Sequence, residues 1–276
     1  MEASALLPGV RRVHFIGIGG SGMCSLAEIL HAMGYEVSGS DDLESDNVAR
    51  LRSLGISVSL PLAARNIRDP EAVVYTVAVS DTHPEMQAAK ALGVPVIERA
   101  ALLGMLTRHY PRSLAVAGTH GKTTTTSMVS QILLEAALDP TLVIGGRLPL
   151  IEANGRAGRS DILVCEACEF KDHFLQMAPA VSVILNIDAD HLEYFGSLEN
   201  IIRSFRRFSE QTGSTLLVNG DDANTLRAVD GLEGKTIVRF GLAPENEWAA
   251  LNITEGGPYG RYDLYHSGTF VAHIAL

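Results

Sequence analysis

Two glycine-rich loops, each following a short apolar run and opening a helical pattern, constrain this chain more than any other feature. The first is Gly17-Ile18-Gly19-Gly20-Ser21-Gly22, and the second is Gly118-Thr119-His120-Gly121-Lys122-Thr123-Thr124. Glycine at such a junction permits a tight turn and lets backbone N–H groups approach an anion at the helix N-terminus. Around both loops, β-branched runs alternate with helical periodicity, the pattern of parallel α/β architecture. A length of 276 residues has room for two such domains.

In the first series, 12–18, 36–40, 56–59, 73–79 and 94–97 read as strands, and 22–33, 48–54, 84–92 and 100–107 as helices. Pro84 suits a first helical turn. In the second series, 114–117, 141–144, 162–166, 181–187 and 215–218 read as strands, with helices over 122–136 and 198–208. The stretch 148–159 reads as an exposed loop. From Trp248 onward the pattern turns antiparallel, with 259–265 and 269–274 alternating around His266-Ser267-Gly268. The expected division is a Rossmann-like domain over 1–109 and a second domain over 110–276, with a small antiparallel portion near its end.

The apolar fraction of 46% and charged fraction of 20% belong to an ordinary globular chain. Apolar runs such as 180–187 fall far short of the ~20 residues that span a bilayer. The opening MEASALLPGVRR has no apolar core of secretory type. Three scattered cysteines make no disulfide framework. A cytoplasmic, reduced setting without membrane attachment is therefore expected. The net charge of -10 argues against a nucleic-acid partner, whose phosphates demand a basic face.

The first loop satisfies G-x-G-x-x-G, and Asp41 follows the second strand near the spacing used for a ribose hydroxyl. This pattern serves a dinucleotide or the diphosphate of a UDP-sugar equally well. In the second loop, backbone N–H groups can cradle phosphates, Lys122 can neutralise β/γ oxygens, and Thr123 can bind magnesium. Val116 stands where the first glycine of the common G-x-x-x-x-G-K-[ST] pattern would be, so this is a compact form. Two different phosphate loops argue against a simple dehydrogenase, since hydride transfer needs no loop lysine. Glu166 ends one apolar strand, while Asp188, Asp190 and His191 follow another, offering ligands for a divalent cation. Cys165 and Cys168 form C-x-x-C without a second pair, so Cys165 reads as a small apolar strand residue.

HFIGIGGSGM (14–23), GYEVSGSD (34–41), GTHGKTTTT (118–126), EACEFKDHFL (166–175) and NIDADHLEYFGSLENIIRSF (186–205) together resemble the Mur ligase family, in its muramate–alanine branch. The resemblance covers nearly the whole chain. It implies ATP- and Mg2+-dependent ligation of L-alanine to UDP-N-acetylmuramate in peptidoglycan synthesis, through an acyl phosphate. Gly118, Thr119, His120, Gly121, Lys122, Thr123 and Thr124 would then bind ATP, with Lys122, Glu166 and His191 catalytic. Thr123 and Glu166 would hold one magnesium ion and His191 a second. Gly17, Gly19, Gly20, Ser21, Gly22, Met23, Ser40 and Asp41 would bind the UDP part, with Ser80, His83 and Glu85 near the sugar. Two positions depart from the family block E-A-D-E-S-D: Cys168 replaces the first aspartate and Phe170 the serine. Some siblings bridge metal with a carbamoylated lysine, and the lysine found after His191, Lys235, precedes a strand. The chain ends within an expected strand at 272–276, before the family's G-x-H-N-x-x-N-A block and third domain. A partial enzyme that binds the sugar nucleotide without ligating alanine is therefore expected. A tripeptide-recycling ligase and a non-catalytic UDP-sugar-binding protein remain as alternatives.

Overall fold

The computed structural model describes residues 6–254 and 260–275. The chain starts with β1 (Arg12–Ile16), α1 (Ser21–Ala32), β2 (Glu36–Ser40), α2 (Asp46–Ser53), β3 (Ser57–Ser59) and β4 (Ala72–Tyr75). It continues with α3 (Pro84–Leu92), β5 (Val96–Glu98), α4 (Arg99–His109), β6 (Arg112–Ala117), α5 (Lys122–Glu135) and β7 (Thr141–Leu148). Next come β8 (Ala153–Arg156), β9 (Ile162–Glu166), β10 (Val181–Ile184), α6 (Leu192–Phe195), α7 (Leu198–Gln211) and β11 (Thr215–Asn219). The final elements are α8 (Ala223–Val229), β12 (Thr236–Gly241), β13 (Trp248–Thr254), β14 (Arg261–His266) and β15 (Thr269–Ala275). The alternating strand–helix order expected from the sequence is thus the architecture found. Strand 259–265 begins at Arg261; Tyr259 and Leu276 lie outside the described residues.

The chain forms two compact units, Met1–Ser113 with Thr123–Glu166, and Leu114–Lys122 with Ala167–Leu276. In the first unit, β3-β2-β1-β4-β5 form an all-parallel sheet. β1 is central, and Val13, Phe15 and Ile16 are buried there because both neighbouring strands and the flanking helices cover it. Helix α1 is apolar on more than one face. Leu26, Ala27, Ile29 and Leu30 are wholly buried, since α1 packs on its own sheet and also on β7 and β8.

That second packing corrects the reading of 148–159 as an exposed loop. β8 pairs antiparallel with β7, and Leu148 and Ala153 are buried. Gly155 is necessary to the arrangement: a Cβ there would lie 2.4 Å from the Leu142 carbonyl oxygen and 2.6 Å from Ser25 Oγ. The glycines and arginines of the segment therefore serve close packing and ion pairs, with Arg156 and Arg159 both on Asp139.

In the second unit the strand order is β15-β14-β13-β12-β11-β10-β6. β6, β10, β11 and β12 run parallel, and β12 adds a short parallel pairing to β13 through Phe240 and Trp248. The antiparallel pattern expected from Trp248 onward therefore starts one strand interface later, between β13 and β14. α8 and β12 carry no strong sequence signal, because α8 is two turns long and Arg239 interrupts the apolar run of β12. Asp222 caps α8, accepting from Thr225 N–H at 2.7 Å and also from Ile187 N–H at 3.3 Å, so one carboxylate ties the helix to a neighbouring strand end. α7 is strongly amphipathic. Ile201, Ile202, Phe205 and Phe208 are buried, and Phe174 stacks on Phe208 with 4.8 Å between ring centroids. No helix among the described residues is long and apolar enough to cross a membrane.

Candidate functional site

The first glycine loop sits at the carboxyl end of β1, where parallel sheets gather ligands. Gly17 takes a φ of +78°, a conformation that glycine adopts without strain. The loop is clamped to the end of β2: Gly17 and Ile18 N–H donate to the Ser40 carbonyl at 2.8 and 3.0 Å. Gly19 N–H donates to Asp41 Oδ2 at 2.7 Å, and Asp42 N–H donates to Asp41 Oδ1 at 2.8 Å. Asn47 closes the arrangement by donating to the Gly19 carbonyl at 2.7 Å. Asp41, expected at a ribose, thus holds the glycine loop itself in this structure.

Behind the loop lies a buried polar chain that sequence periodicity did not single out. His14 Nδ1 and Nε2 lie 3.0 and 3.3 Å from Ser38 Oγ and Ser40 Oγ. Ser40 Oγ donates to Glu85 Oε2 at 2.6 Å, while Glu85 Oε1 accepts from Ala63 N–H and the Asn66 amide. Burial lowers the His14 pKa to about 4, with Glu85 opposing, so the imidazole is neutral near pH 7. Of the residues expected at the UDP-sugar, Gly17, Gly19, Gly20, Ser21 and Gly22 form the loop. Met23, Ser40 and Glu85 are buried beneath it. Ser80 lies exposed on the segment after β4, bonded to Thr82 Oγ1, and His83 caps α3 by accepting from Glu85 N–H. The cue to the buried chain was a histidine in the middle of an otherwise apolar strand.

The second loop joins β6 to α5. Gly118 and Gly121 have φ of +146° and +83°. A Cβ on Gly118 would lie 3.0 Å from Leu185 Cβ. Thr119 and His120 N–H donate to the Asn186 carbonyl and side-chain oxygen, and the Thr119 hydroxyl accepts from Asp188 N–H at 2.9 Å. Asn186 and Asp188, just past β10, therefore shape the phosphate loop. Lys122 Nζ donates to the Gly118 and Thr119 carbonyls at 2.5 and 3.1 Å and to Glu169 Oε1 at 3.0 Å. Glu169 Oε2 is 2.9 Å from the same nitrogen but lacks hydrogen-bond alignment. His191, at φ +50°, precedes α6; its Nδ1 is 3.5 Å from Glu193, and Phe170 lies against its ring at 4.7 Å. The aromatic residue at the family's serine position thus packs on the histidine expected to bind metal.

In the first unit, Thr123 Oγ1 donates to Glu166 Oε2 at 3.1 Å, and Gly145 N–H donates to Glu166 Oε1 at 2.6 Å. A Cβ on Gly145 would lie 2.6 Å from Glu166 Oε2, and one on Gly146 would lie 2.9 Å from Thr123 Cγ2. The pair of glycines leaves these oxygens room. One hydroxyl and one carboxylate form an oxygen donor set that suits magnesium, which takes its remaining ligands from phosphate and water. Among the described residues no cluster of three or more His, Cys, Asp or Glu is placed to hold a metal by itself. Cys165 is fully buried and its thiol pKa is raised by that burial, as expected of a strand residue. Cys24 is likewise buried, its pKa pushed up to about 11 chiefly by desolvation.

Two glycine-rich loops, each following a parallel strand and opening a helix, define an α/β protein with two loops of the phosphate-binding type. Residues 12–111 match the family described as "Mur ligase family, catalytic domain", and 116–274 match "Mur ligase middle domain". The chain belongs to the Mur ligase family. It is 44% identical over 270 residues to a UDP-N-acetylmuramate–L-alanine ligase of Caldanaerobacter subterraneus, covering 96% of this chain and 58% of that protein. It is 46% identical over 245 residues to one from Agathobacter rectalis, covering 88% and 53%. Its fold superposes on UDP-N-acetylmuramate-alanine ligase of Thermotoga maritima with TM-score 0.83 and 30% identity, covering 96% and 60%. A ligase from Neisseria meningitides, described as UDP-N-acetylmuramate:L-alanyl-gamma-D-glutamyl-meso-diaminopimelate ligase, gives TM-score 0.84 at 27% identity, covering 96% and 87%. The chain thus spans a little over half the length of the alanine ligases it matches.

Proposed function

We propose that the chain supplies the sugar-nucleotide and ATP-binding parts of a UDP-N-acetylmuramate–L-alanine ligase. The observation carrying this reading is the pairing of two differently built phosphate loops, with the Thr123 hydroxyl beside Glu166 next to the second. An enzyme that binds only one nucleotide has no use for both. Identities of 44% and 46% to proteins named UDP-N-acetylmuramate–L-alanine ligase support alanine as the amino acid.

In the reaction so read, a muramate carboxylate oxygen bonds to the γ-phosphorus of ATP as the bond to ADP breaks. The alanine amine then attacks the acyl carbonyl, losing a proton as phosphate departs. Lys122 would stabilise charge on the transferred phosphoryl group, and the N–H groups of 118–124 would hold the phosphate chain. Lys122 must release Glu169 or carry it along to do so. Thr123 and Glu166 would hold the magnesium ion, which screens phosphate charge when bound, and His191 would face the second cation. The glycine loop after β1 would take the UDP diphosphate.

Calorimetry of the 276-residue chain with UDP-N-acetylmuramate, Mg-ADP and NADH tests the assignment. Saturable binding of the first two and none of NADH is expected. NADH binding that UDP does not displace would overturn it.

A further inference from the structure

Glu85, in the first turn of α3, is wholly buried, yet its carboxylate accepts hydrogen bonds from two other segments of the first unit. Ser40 Oγ, at the end of β2, donates to Oε2 at 2.6 Å. Ala63 N–H and the Asn66 amide, on the connection between β3 and β4, donate to Oε1 at 2.9 and 2.7 Å. A side chain needed only to fill this space would be apolar, because a buried carboxylate carries a desolvation penalty. What the carboxylate adds is direction. A hydroxyl has one proton, and that of Ser40 is committed to Glu85. Ser40 Oγ can therefore only accept from His14 Nε2, 3.3 Å away, so the ring proton sits on Nε2. Burial keeps His14 neutral near pH 7, which leaves Nδ1, 3.0 Å from Ser38 Oγ, to accept from that hydroxyl. Protons thus point one way along the chain, from Ser38 through His14 and Ser40 to Glu85. Ser40 also carries the carbonyl that accepts from Gly17 and Ile18 N–H, at 2.8 and 3.0 Å. The residue that fixes Ser40 therefore fixes the start of the glycine loop.

We infer that Glu85 is a positioning residue for this loop, setting the direction of the buried chain and, through Ser40, the placement of Gly17 and Ile18. For what the loop binds, this rests on the sugar-nucleotide reading. Sealed from solvent, Glu85 acts on the ligand through the loop and not by touching the sugar.

Two-bond 1H–15N correlation spectra of the full chain near pH 7 read the His14 tautomer, and calorimetry with UDP, UDP-N-acetylmuramate and Mg-ADP reads binding. Wild-type His14 is expected as the neutral Nε2–H form. In Glu85→Gln the amide oxygen must face the donors of Ala63 and Asn66, so its NH2 group faces Ser40. Ser40 then turns its proton to His14, and the ring is expected to switch to Nδ1–H. Glu85→Leu is expected to weaken UDP at least tenfold and UDP-N-acetylmuramate by the same factor, leaving Mg-ADP within twofold. Glu85→Gln should weaken UDP less than Glu85→Leu does. A wild-type Nδ1–H ring, or no switch in Glu85→Gln, overturns the inference, as does UDP affinity within twofold of wild type in folded Glu85→Leu. Weakening confined to UDP-N-acetylmuramate also overturns it and places Glu85 at the sugar. If Glu85→Leu does not fold, the tautomer in Glu85→Gln decides. Failure of wild type to bind UDP overturns the reading of the loop, while the tautomer switch still decides whether Glu85 directs the chain.

Discussion

Lys122 uses its ammonium N–H groups on two loop carbonyls and one carboxylate, and Glu169 beneath it is nearly excluded from water, its side chain 4% exposed. Removing one partner of a buried pair leaves the other charge uncompensated, at a cost of roughly 3–5 kcal/mol. Lys122→Met should therefore abolish Mg-ADP binding and also lower the urea midpoint, and adding Glu169→Gln should recover stability but not binding. A Lys122→Met protein as stable as wild type would show that the pair is not buried as described. His14 makes a second residue-scale prediction. Its folded pKa of about 4 lies below the ordinary histidine value of 6.5, so the unfolded chain binds the proton first as pH falls. Stability contributed by neutral His14 is complete above pH 6.5 and is lost as pH falls toward 4, to an extent of about 3 kcal/mol. Denaturant midpoints should fall across that window, and less steeply in His14→Asn. At this scale the loop residues were legible in the sequence, because glycine, lysine and threonine act within a few positions of one another. Glu85 was not: it sits in a family-like segment, yet the fold turns its carboxylate inward to Ser40 and Asn66.

Among the elements, α1 and its neighbours show where periodicity suffices and where it does not. The helix was legible from its apolar positions, but its second packing face was not, since β7 and β8 arrive more than a hundred residues later. Gly155→Ala tests that face. The added methyl has no room between the Leu142 carbonyl and Ser25, and overpacking of this kind costs about 1–3 kcal/mol. A lowered midpoint in equilibrium unfolding is expected, with Gly93→Ala unsuitable as a control because Gly93 has a φ of +69°. Asp222→Ala should cost more than the ~1 kcal/mol of an ordinary cap, because Ile187 N–H loses its acceptor as well. Ser197→Ala, which frees only Asn200 N–H on α7, supplies the comparison within the same unit.

For the molecule as a whole, the two proposed ligand sites would give two separate linkages to unfolding. A ligand at a hundred times its Kd stabilises the native state by about 2.7 kcal/mol, worth roughly 5–11 °C in a domain of 150–250 residues. Mg-ADP should raise the melting temperature in wild type but not in Lys122→Met, while UDP should raise it in both. Chelating magnesium with EDTA should diminish the ADP effect and spare that of UDP. Scanning calorimetry or fluorescence melting reads all of these, and a UDP effect lost with Lys122 would contradict separate sites. The sequence alone determined the alternation of strands and helices, the two phosphate loops and the family they mark, because each signal is contiguous and rests on local backbone chemistry. Tertiary structure decided that Asp41 holds Gly19, that Glu169 holds Lys122, that 148–159 is a packed hairpin, and that Glu85 turns inward to Ser40. Those pairings depend on which strands become neighbours, and burial of apolar surface across the whole sheet sets that order.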